Sequence, residues 1–405
     1  MNEHDRAAPV PTTKPPAAHE DSPHESELLL PGVVTEKISP ARSAAVASRV
    51  GIVLGIAITI CFVTGLISHW VQHPPPWFWW PANPVWLYRL TQGAHVVSGV
   101  VAIPLLLVKL WSVFPRLFAR PLIGSPLRLL ERGSIAVLVG SMIFQLVTGL
   151  FNTAQNYPWE FFFTTTHYAM SYVAFGALAV HLAVKLPVVR AALARPAAGS
   201  ESPPDDAGVA SRRGVLVAAG AAAVVAGVAI AGQSVPLLRR VSVLAPRSGE
   251  GPQGLPVNRT AHQAGVSEEA RDAEYRLEVI VGDLRRQFTR AELAALPQTE
   301  AEVPLACVEG WSVSAHWSGI RLRDLLAAVG EYRGGDVEFR SLEQSGLYNR
   351  SVLPQSHVVD SSTLVALRLN GEELDLDHGY PCRLIAPTRP GVLQTKWLSA
   401  IEVRA

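Results

Sequence analysis

The sequence predicts a membrane α-helical bundle, four helices plus a fifth anchor helix, followed by a soluble α+β domain. Three observations predict it. Five apolar stretches fall within 200 residues, basic residues gather in alternate loops between them, and after residue 250 the pattern changes to short strands and helices. Of the 405 residues 49% are apolar and only 17% charged, an apolar-rich balance for a soluble protein. At this length more than one module is expected.

Residues 1–46 mix Pro, Ala, His and acidic residues without period, the composition of a disordered tail. The apolar stretches cover residues 50–67, 93–108, 135–151, 169–184 and 215–232. A membrane helix needs about 20 apolar residues to cross about 30 Å of hydrocarbon. The second and fourth stretches are shorter, and aromatic and small residues at their edges extend them. The first four form a bundle over 47–192, and 193–235 holds a cytoplasmic loop and the fifth helix.

Orientation follows from charge in the short loops. Lys109, Arg116, Arg120, Arg128 and Arg132 lie between the second and third stretches, and Lys185, Arg190, Arg195, Arg212 and Arg213 between the fourth and fifth. The other loops, 69–92 and 152–166, hold one arginine between them and are rich in Trp, Phe and Tyr. The expected arrangement is a multi-pass protein of a bacterial inner membrane, N-terminus cytoplasmic and C-terminal domain outside. Ser211-Arg212-Arg213-Gly214-Val215-Leu216 before an Ala/Gly-rich span resembles a twin-arginine (Tat) export signal inside the chain. The other reading is two positive-inside arginines ahead of an ordinary helix.

Residues 236–264, rich in Pro, Gly and Arg, read as a linker, and 265–405 as the soluble domain. There, 275–281 alternates like a strand and Thr289…Glu292 fits a capping box. Residues 320–329 have helical spacing, 337–341 is strand-like, Asn370-Gly371 marks a hairpin turn, and 383–386 and 396–403 read as closing strands. A net charge of +1 gives no reason to expect a nucleic-acid partner. Three cysteines, Cys61, Cys307 and Cys382, make no disulfide framework.

Intramembrane histidines are costly unless they bind something. His95 lies in the second stretch, His167 and His181 in or beside the fourth, and His69 at the outer end of the first. His95 is 14 residues from Lys109 and His167 is 18 from Lys185, a depth mismatch of only about 6 Å. They are the expected pair of haem-iron ligands, with His181 and His69 as further candidates. His181, four residues from Lys185, lies near the inner face.

Cys307, in Ala306-Cys307-Val308-Glu309-Gly310-Trp311-Ser312, ends a short apolar strand, a setting for a soft-metal thiolate. The pattern continues with Trp317…Gly319…Leu322…Leu325-Leu326, Leu364…Asn370-Gly371-Glu372, His378-Gly379-Tyr380-Pro381-Cys382-Arg383-Leu384 and Lys396-Trp397. In this order these residues resemble the sulfite oxidase family of molybdopterin-dependent oxidoreductases, and within it the catalytic subunit of protein-methionine-sulfoxide reductases. The paired arginines that follow the cysteine in sulfite oxidases are missing here. The resemblance implies that Cys307 ligates molybdenum and that His378, Arg383 and Lys396 hold the pterin and its phosphate. It makes Glu309 and Tyr348 candidates for the substrate pocket. Residues 50–189 resemble the cytochrome b subunits of formate dehydrogenases and nickel hydrogenases, which implies b-type haem. An inner haem lacks its second histidine, because none occurs at the start of the first helix.

The expected function is a membrane-bound oxidoreductase passing electrons from the quinone pool, or another membrane donor, through b haem to a molybdopterin centre. That centre would reduce an S- or N-oxide such as methionine sulfoxide, free or in a protein. Two alternatives stay open: a sulfite-type oxidase sending electrons to quinone, and a non-catalytic binding module on a membrane cytochrome. Retention of Cys307, Arg383 and Lys396 stands against the second.

Overall fold

The computed structural model describes residues 42–117, 126–194, 211–245, 251–346 and 348–404. Most of the expected N-terminal tail, and the loop residues Arg120 and Arg195, lie outside the described residues. Five helices form the N-terminal half: α1 (Ala44–Gln72), α2 (Leu87–Leu117), α3 (Pro126–Thr153), α4 (Phe163–Ala194) and α5 (Arg212–Ala231). Each contains a segment long and apolar enough to cross a membrane. They outrun the apolar stretches because a helix satisfies its own backbone and continues through the polar margins of a bilayer. Ser43 and Ser211 cap α1 and α5 with their hydroxyls.

Helix α1 packs on α2 and α4, α3 on α4, and α5 on α2. Their shared core includes Val50, Leu54, Ala57, Leu105, Met142, Ala174 and Ala223. The outward faces keep Ile56, Leu107, Val180, Val217 and Val225 exposed, side chains that suit lipid rather than water. At one end stand Lys109, Lys185, Glu131 and Arg212, with Lys185 paired to Glu131. At the other lie the aromatic loops and the sheet domain.

The C-terminal domain holds, among the described residues, two five-stranded sheets. The first contains β1 (Leu277–Val281), β2 (Leu284–Phe288), β5 (Val337–Ser341), β6 (Arg350–Leu353) and β10 (Leu398–Val403), in the order β2-β1-β10-β5-β6. Its β1–β10 pair is parallel and its other pairs antiparallel. The second contains β3 (Thr299–Ala306), β4 (Ser312–Arg321), β7 (Leu364–Leu369), β8 (Glu372–Glu373) and β9 (Arg383–Ile385), with β8 and β9 both antiparallel to β7. The short helices α6 (Ala261–Ala264), α7 (Arg290–Ala295), α8 (Leu322–Ala327) and α9 (Gln355–Val358) complete it. The Thr289–Glu292 capping box is formed in both directions at the start of α7. Asn370 and Gly371 both take positive φ in the β7–β8 hairpin turn.

Two details differ from expectation. The 320–329 segment divides: Ile320 and Arg321 finish β4 before α8 begins at Leu322. The segment read as a linker does not hang free. Leu255 is fully buried with Trp317 and Ile385, and His378, Cys307 and Lys396 all bond to residues between 252 and 259. Its Pro and Gly content serves tight turns against the domain, with Gly251 and Gly254 at positive φ.

Candidate functional site

Strand β3 delivers Cys307 to a tight turn that returns into β4. The Cys307 N–H donates to the Trp311 carbonyl at 2.9 Å, and Gly310 N–H to the Cys307 carbonyl at 3.1 Å. Gly310 adopts φ +104°, and a Cβ there would lie 2.5 Å from Val96 of α2. Only glycine allows the turn both its conformation and its approach to the bundle.

The Cys307 thiol is buried and accepts a hydrogen bond from Asn258 Nδ2 at 2.8 Å. Burial pushes the thiol pKa up, and the Glu309 carboxylate adds to the push. A bound metal reverses this balance, since coordination deprotonates a thiol outright. Glu309 is itself buried; its Oε2 accepts from Trp311 Nε1 at 3.1 Å and from the side chain of Gln155 just beyond α3. Tyr348 is partly exposed, and burial together with Cys307 raises its pKa.

The second cluster gathers His378, Arg383 and Lys396. Gly379, at φ +109°, lets its turn lie between the other two: a Cβ there would be 3.1 Å from the Cβ atoms of both Arg383 and Lys396. Arg383 is buried, donates to the carbonyls of His378 (2.9 Å) and Gln394 (3.2 Å), and lies over the Trp317 ring. Among the described residues it faces no carboxylate and its Nε has no partner, and burial alone pulls its pKa down to about 9. Lys396 donates to the carbonyls of Arg259 (2.6 Å) and Asp377 (2.8 Å). Burial, then Arg383, lowers it to about 7. Burial and Arg383 likewise lower His378 to about 4, and its Nε2 lies 2.8 Å from the Pro252 carbonyl. Arg383, a buried cation without a facing carboxylate and with a free Nε–H, beside Lys396, whose charge Asp377 and Glu343 offset only in part, is a setting for an anion.

The strip 252–259 ties the clusters together, since Pro252 meets His378, Asn258 meets Cys307 and Arg259 meets Lys396. Sequence reasoning missed Asn258; nothing in Asn258-Arg259-Thr260 distinguishes it from any polar turn. It also missed Arg389, buried with an unpartnered Nε beside His357, whose Nε2 lies 3.1 Å from the Thr388 hydroxyl.

In the bundle, α2 and α4 bring the rings of His95 and His167 to 6.4 Å between centroids, with planes 72° apart. His95 Nδ1 lies 2.8 Å from the Cys61 carbonyl and His167 Nδ1 3.1 Å from Thr148 Oγ1. Each ring thus has its Nδ1 beside a protein oxygen, and the Cys61 thiol lies against the His95 ring, 3.6 Å from Nδ1 and 4.0 Å from Nε2. They line an apolar cavity of about 290 Å³. Gly65 and Gly149 also line it, where a Cβ would stand 3.0 Å from His95 Cε1 and 3.7 Å from His167 Cε1. His69 also lines this cavity, its ring stacked on Tyr168 at 3.6 Å. His181 is outside its lining, near Lys109, Lys185 and Glu131.

The two halves meet at Cys307. Gln92 Nε2 donates to the Val308 carbonyl at 2.8 Å, Arg89 to Ser314 Oγ at 3.0 Å, and Trp80 Nε1 to the Thr388 carbonyl at 3.0 Å. Val308 and Tyr348 complete the lining of the histidine cavity.

Residues 263–405 match the family described as oxidoreductase molybdopterin binding domain. Among curated proteins, the chain is 32% identical over 133 residues to an Azospira oryzae protein named as protein-methionine-sulfoxide reductase subunit YedZ1, covering 32% of this chain and 49% of that one. It is 36% identical over 114 residues to sulfite oxidase of Arabidopsis thaliana, covering 24% and 29%. The chain thus spans half or less of the length of these relatives. Among solved structures, the sulfane dehydrogenase SoxCD of Paracoccus pantotrophus aligns at 24% identity and a TM-score of 0.30, over 32% of this chain and 38% of that one.

Proposed function

We propose that the chain is a membrane-bound molybdenum oxidoreductase in which a b-type haem in the bundle exchanges electrons with a molybdopterin centre at Cys307. The observation that carries this reading is continuity: the cavity lined by the His95–His167 pair is lined also by Val308, the residue after Cys307.

Cys307 would supply the sulfur ligand to molybdenum, with Asn258 turning from thiol donor to thiolate donor. Arg383, Lys396 and His378 would hold the pterin and its phosphate, the arginine through its unpartnered Nε–H and the lysine as a compact charge. Such a centre, when bound, supplies two-electron oxygen-atom transfer. Buried Glu309, held by Trp311 and Gln155, and partly exposed Tyr348 stand at the Cys307 turn, where they can orient a polar substrate.

What supports a haem here is the pairing of His95 and His167 at 6.4 Å between ring centroids, with Nδ1 of each beside a protein oxygen and Gly65 and Gly149 against the rings; these two histidines would hold its iron. Quinol in the membrane is the electron source this design serves. The basic end of the bundle would face the cytoplasm, the C-terminal domain the outside of a bacterial inner membrane, and Ser211–Leu216 would act as the Tat export signal.

The Cys-Val-Glu-Gly-Trp-Ser motif and the missing arginine pair favour reduction of an S- or N-oxide, methionine sulfoxide above all. Assays with reduced methyl viologen and sulfoxides, against ferricyanide and sulfite, test the direction. Viologen oxidation by sulfoxide is expected; turnover with sulfite alone would reverse the assignment.

A further inference from the structure

We propose that Gln92 is the bridge through which electrons cross between the haem ligand His95 and the Cys307 turn. The proposal rests on the reading above, a b haem at His95 and His167 and molybdenum at Cys307.

Gln92 lies three residues before His95 on α2, about 4.5 Å along the axis and on the same face, and lines the same cavity. Its side chain is buried and donates to the carbonyl of Val308, the residue bonded to Cys307. From His95 to Cys307 the path is one turn of helix, one side chain, one hydrogen bond of 2.8 Å and one peptide unit. Its Oε1 has no partner among the described residues, a cost an apolar residue would avoid.

The Cys307 turn is pressed onto this part of α2. Gly310 approaches Val96, the residue after His95, so contacts at Gln92 and Val96 flank the ligand. The segment after α5 also holds the turn: Ser234 Oγ donates to the Gly310 carbonyl and Ser312 N–H to the Gln233 carbonyl. Other joining bonds do not adjoin both centres: Gln155 meets Glu309 near Cys307 but does not line the histidine cavity, while Trp80 meets Thr388, Asn83 meets Asp360 and Arg89 meets Ser314.

A haem held by His95 and His167 would supply one electron in each passage, and a molybdenum centre held by Cys307 would take it up. Two passages, with two protons from solution, convert a sulfoxide to the corresponding thioether and water: the sulfur–oxygen bond breaks and the oxygen leaves with both protons. Quinol in the membrane, or dithionite in the test, re-reduces the haem.

The test uses full-length, detergent-purified protein reduced with stoichiometric dithionite and mixed with methionine sulfoxide, following the haem α-band. Gln92→Leu, and Gln92→Met as a second variant of native length, remove the donor. Trp80→Phe removes a comparable interdomain bond elsewhere. The expected result is haem reoxidation slowed roughly tenfold or more in both Gln92 variants and unchanged within about twofold in Trp80→Phe. The α-band and the Mo(V) signal should be kept in all three. Reoxidation at the wild-type rate in the Gln92 variants overturns the bridge, and so does equal slowing in Trp80→Phe, which would make the bond a docking contact. Wild-type protein without the α-band or without molybdenum overturns the parent reading instead.

Discussion

His95 and His167 face each other across the bundle interior with ring centroids 6.4 Å apart, each with its Nδ1 beside a protein oxygen. Neither bond needs iron, yet both rings line one largely apolar cavity. Replacing either histidine by alanine is expected to abolish the reduced α-band of b haem. His181→Ala, outside the cavity, should keep it. Loss of the band in His181→Ala with retention in His95→Ala would reassign the ligands.

Arg383 offers a test of binding against structure. Its buried guanidinium meets carbonyls only and leaves Nε unsatisfied. Removing a buried cation that faces no carboxylate relieves its desolvation cost, which offsets the two carbonyl bonds it gives up. Arg383→Met should therefore leave the melting temperature of cofactor-free protein unchanged or higher, while molybdenum content falls to background. A large fall in melting temperature with full molybdenum content would make Arg383 a structural residue.

Acid should destabilise the cofactor-free protein through two buried histidines. Burial, then the neighbouring arginine in each case, lowers His378 to about 4 and His357 to about 3. Below pH 6.5 the unfolded chain takes up protons that the folded one refuses. The stability is thus fully present above that pH and lost as pH falls toward 4. Near pH 4.5 the loss is of order 2–3 kcal/mol for each group. Melting curves between pH 7 and 4.5 should fall more steeply for wild type than for a His357→Gln, His378→Gln double variant. Identical slopes would remove these histidines from the acid response.

Gly310→Ala should loosen the contact between the halves. The new Cβ would meet Val96 at 2.5 Å on a backbone at φ +104°, a strain of roughly 1–3 kcal/mol. Lower thermal stability and faster proteolytic separation of the halves are expected. A wild-type protection pattern would show that the turn is not pressed on α2.

Much of this was legible in the sequence. Apolar runs locate α1–α5, because a bilayer demands length and hydrophobicity of each helix separately. Strand β5 and the Thr289–Glu292 box were visible for the same reason, since alternation and capping act over a few residues. Counting from Lys109 and Lys185 singled out His95 and His167, because helical rise converts residue number into depth. Hidden from the sequence were the contacts made across long separations. Gln92 reaches Val308, Gln155 reaches Glu309, and Asn258 reaches Cys307 from a stretch composed like a linker. A single glutamine or asparagine carries no periodicity, so only the folded arrangement reveals its partner.

Molybdenum, pterin and haem contents, measured on one preparation of wild-type protein and of Cys307→Ser, decide most directly whether the two centres share this chain. About one molybdenum and at least one b haem per wild-type chain are expected, with a Mo(V) signal that the serine variant alters or loses while the haem remains. Protein matured in cofactor-competent cells that carries haem but no molybdenum would contradict the assignment, leaving a membrane cytochrome joined to a binding domain.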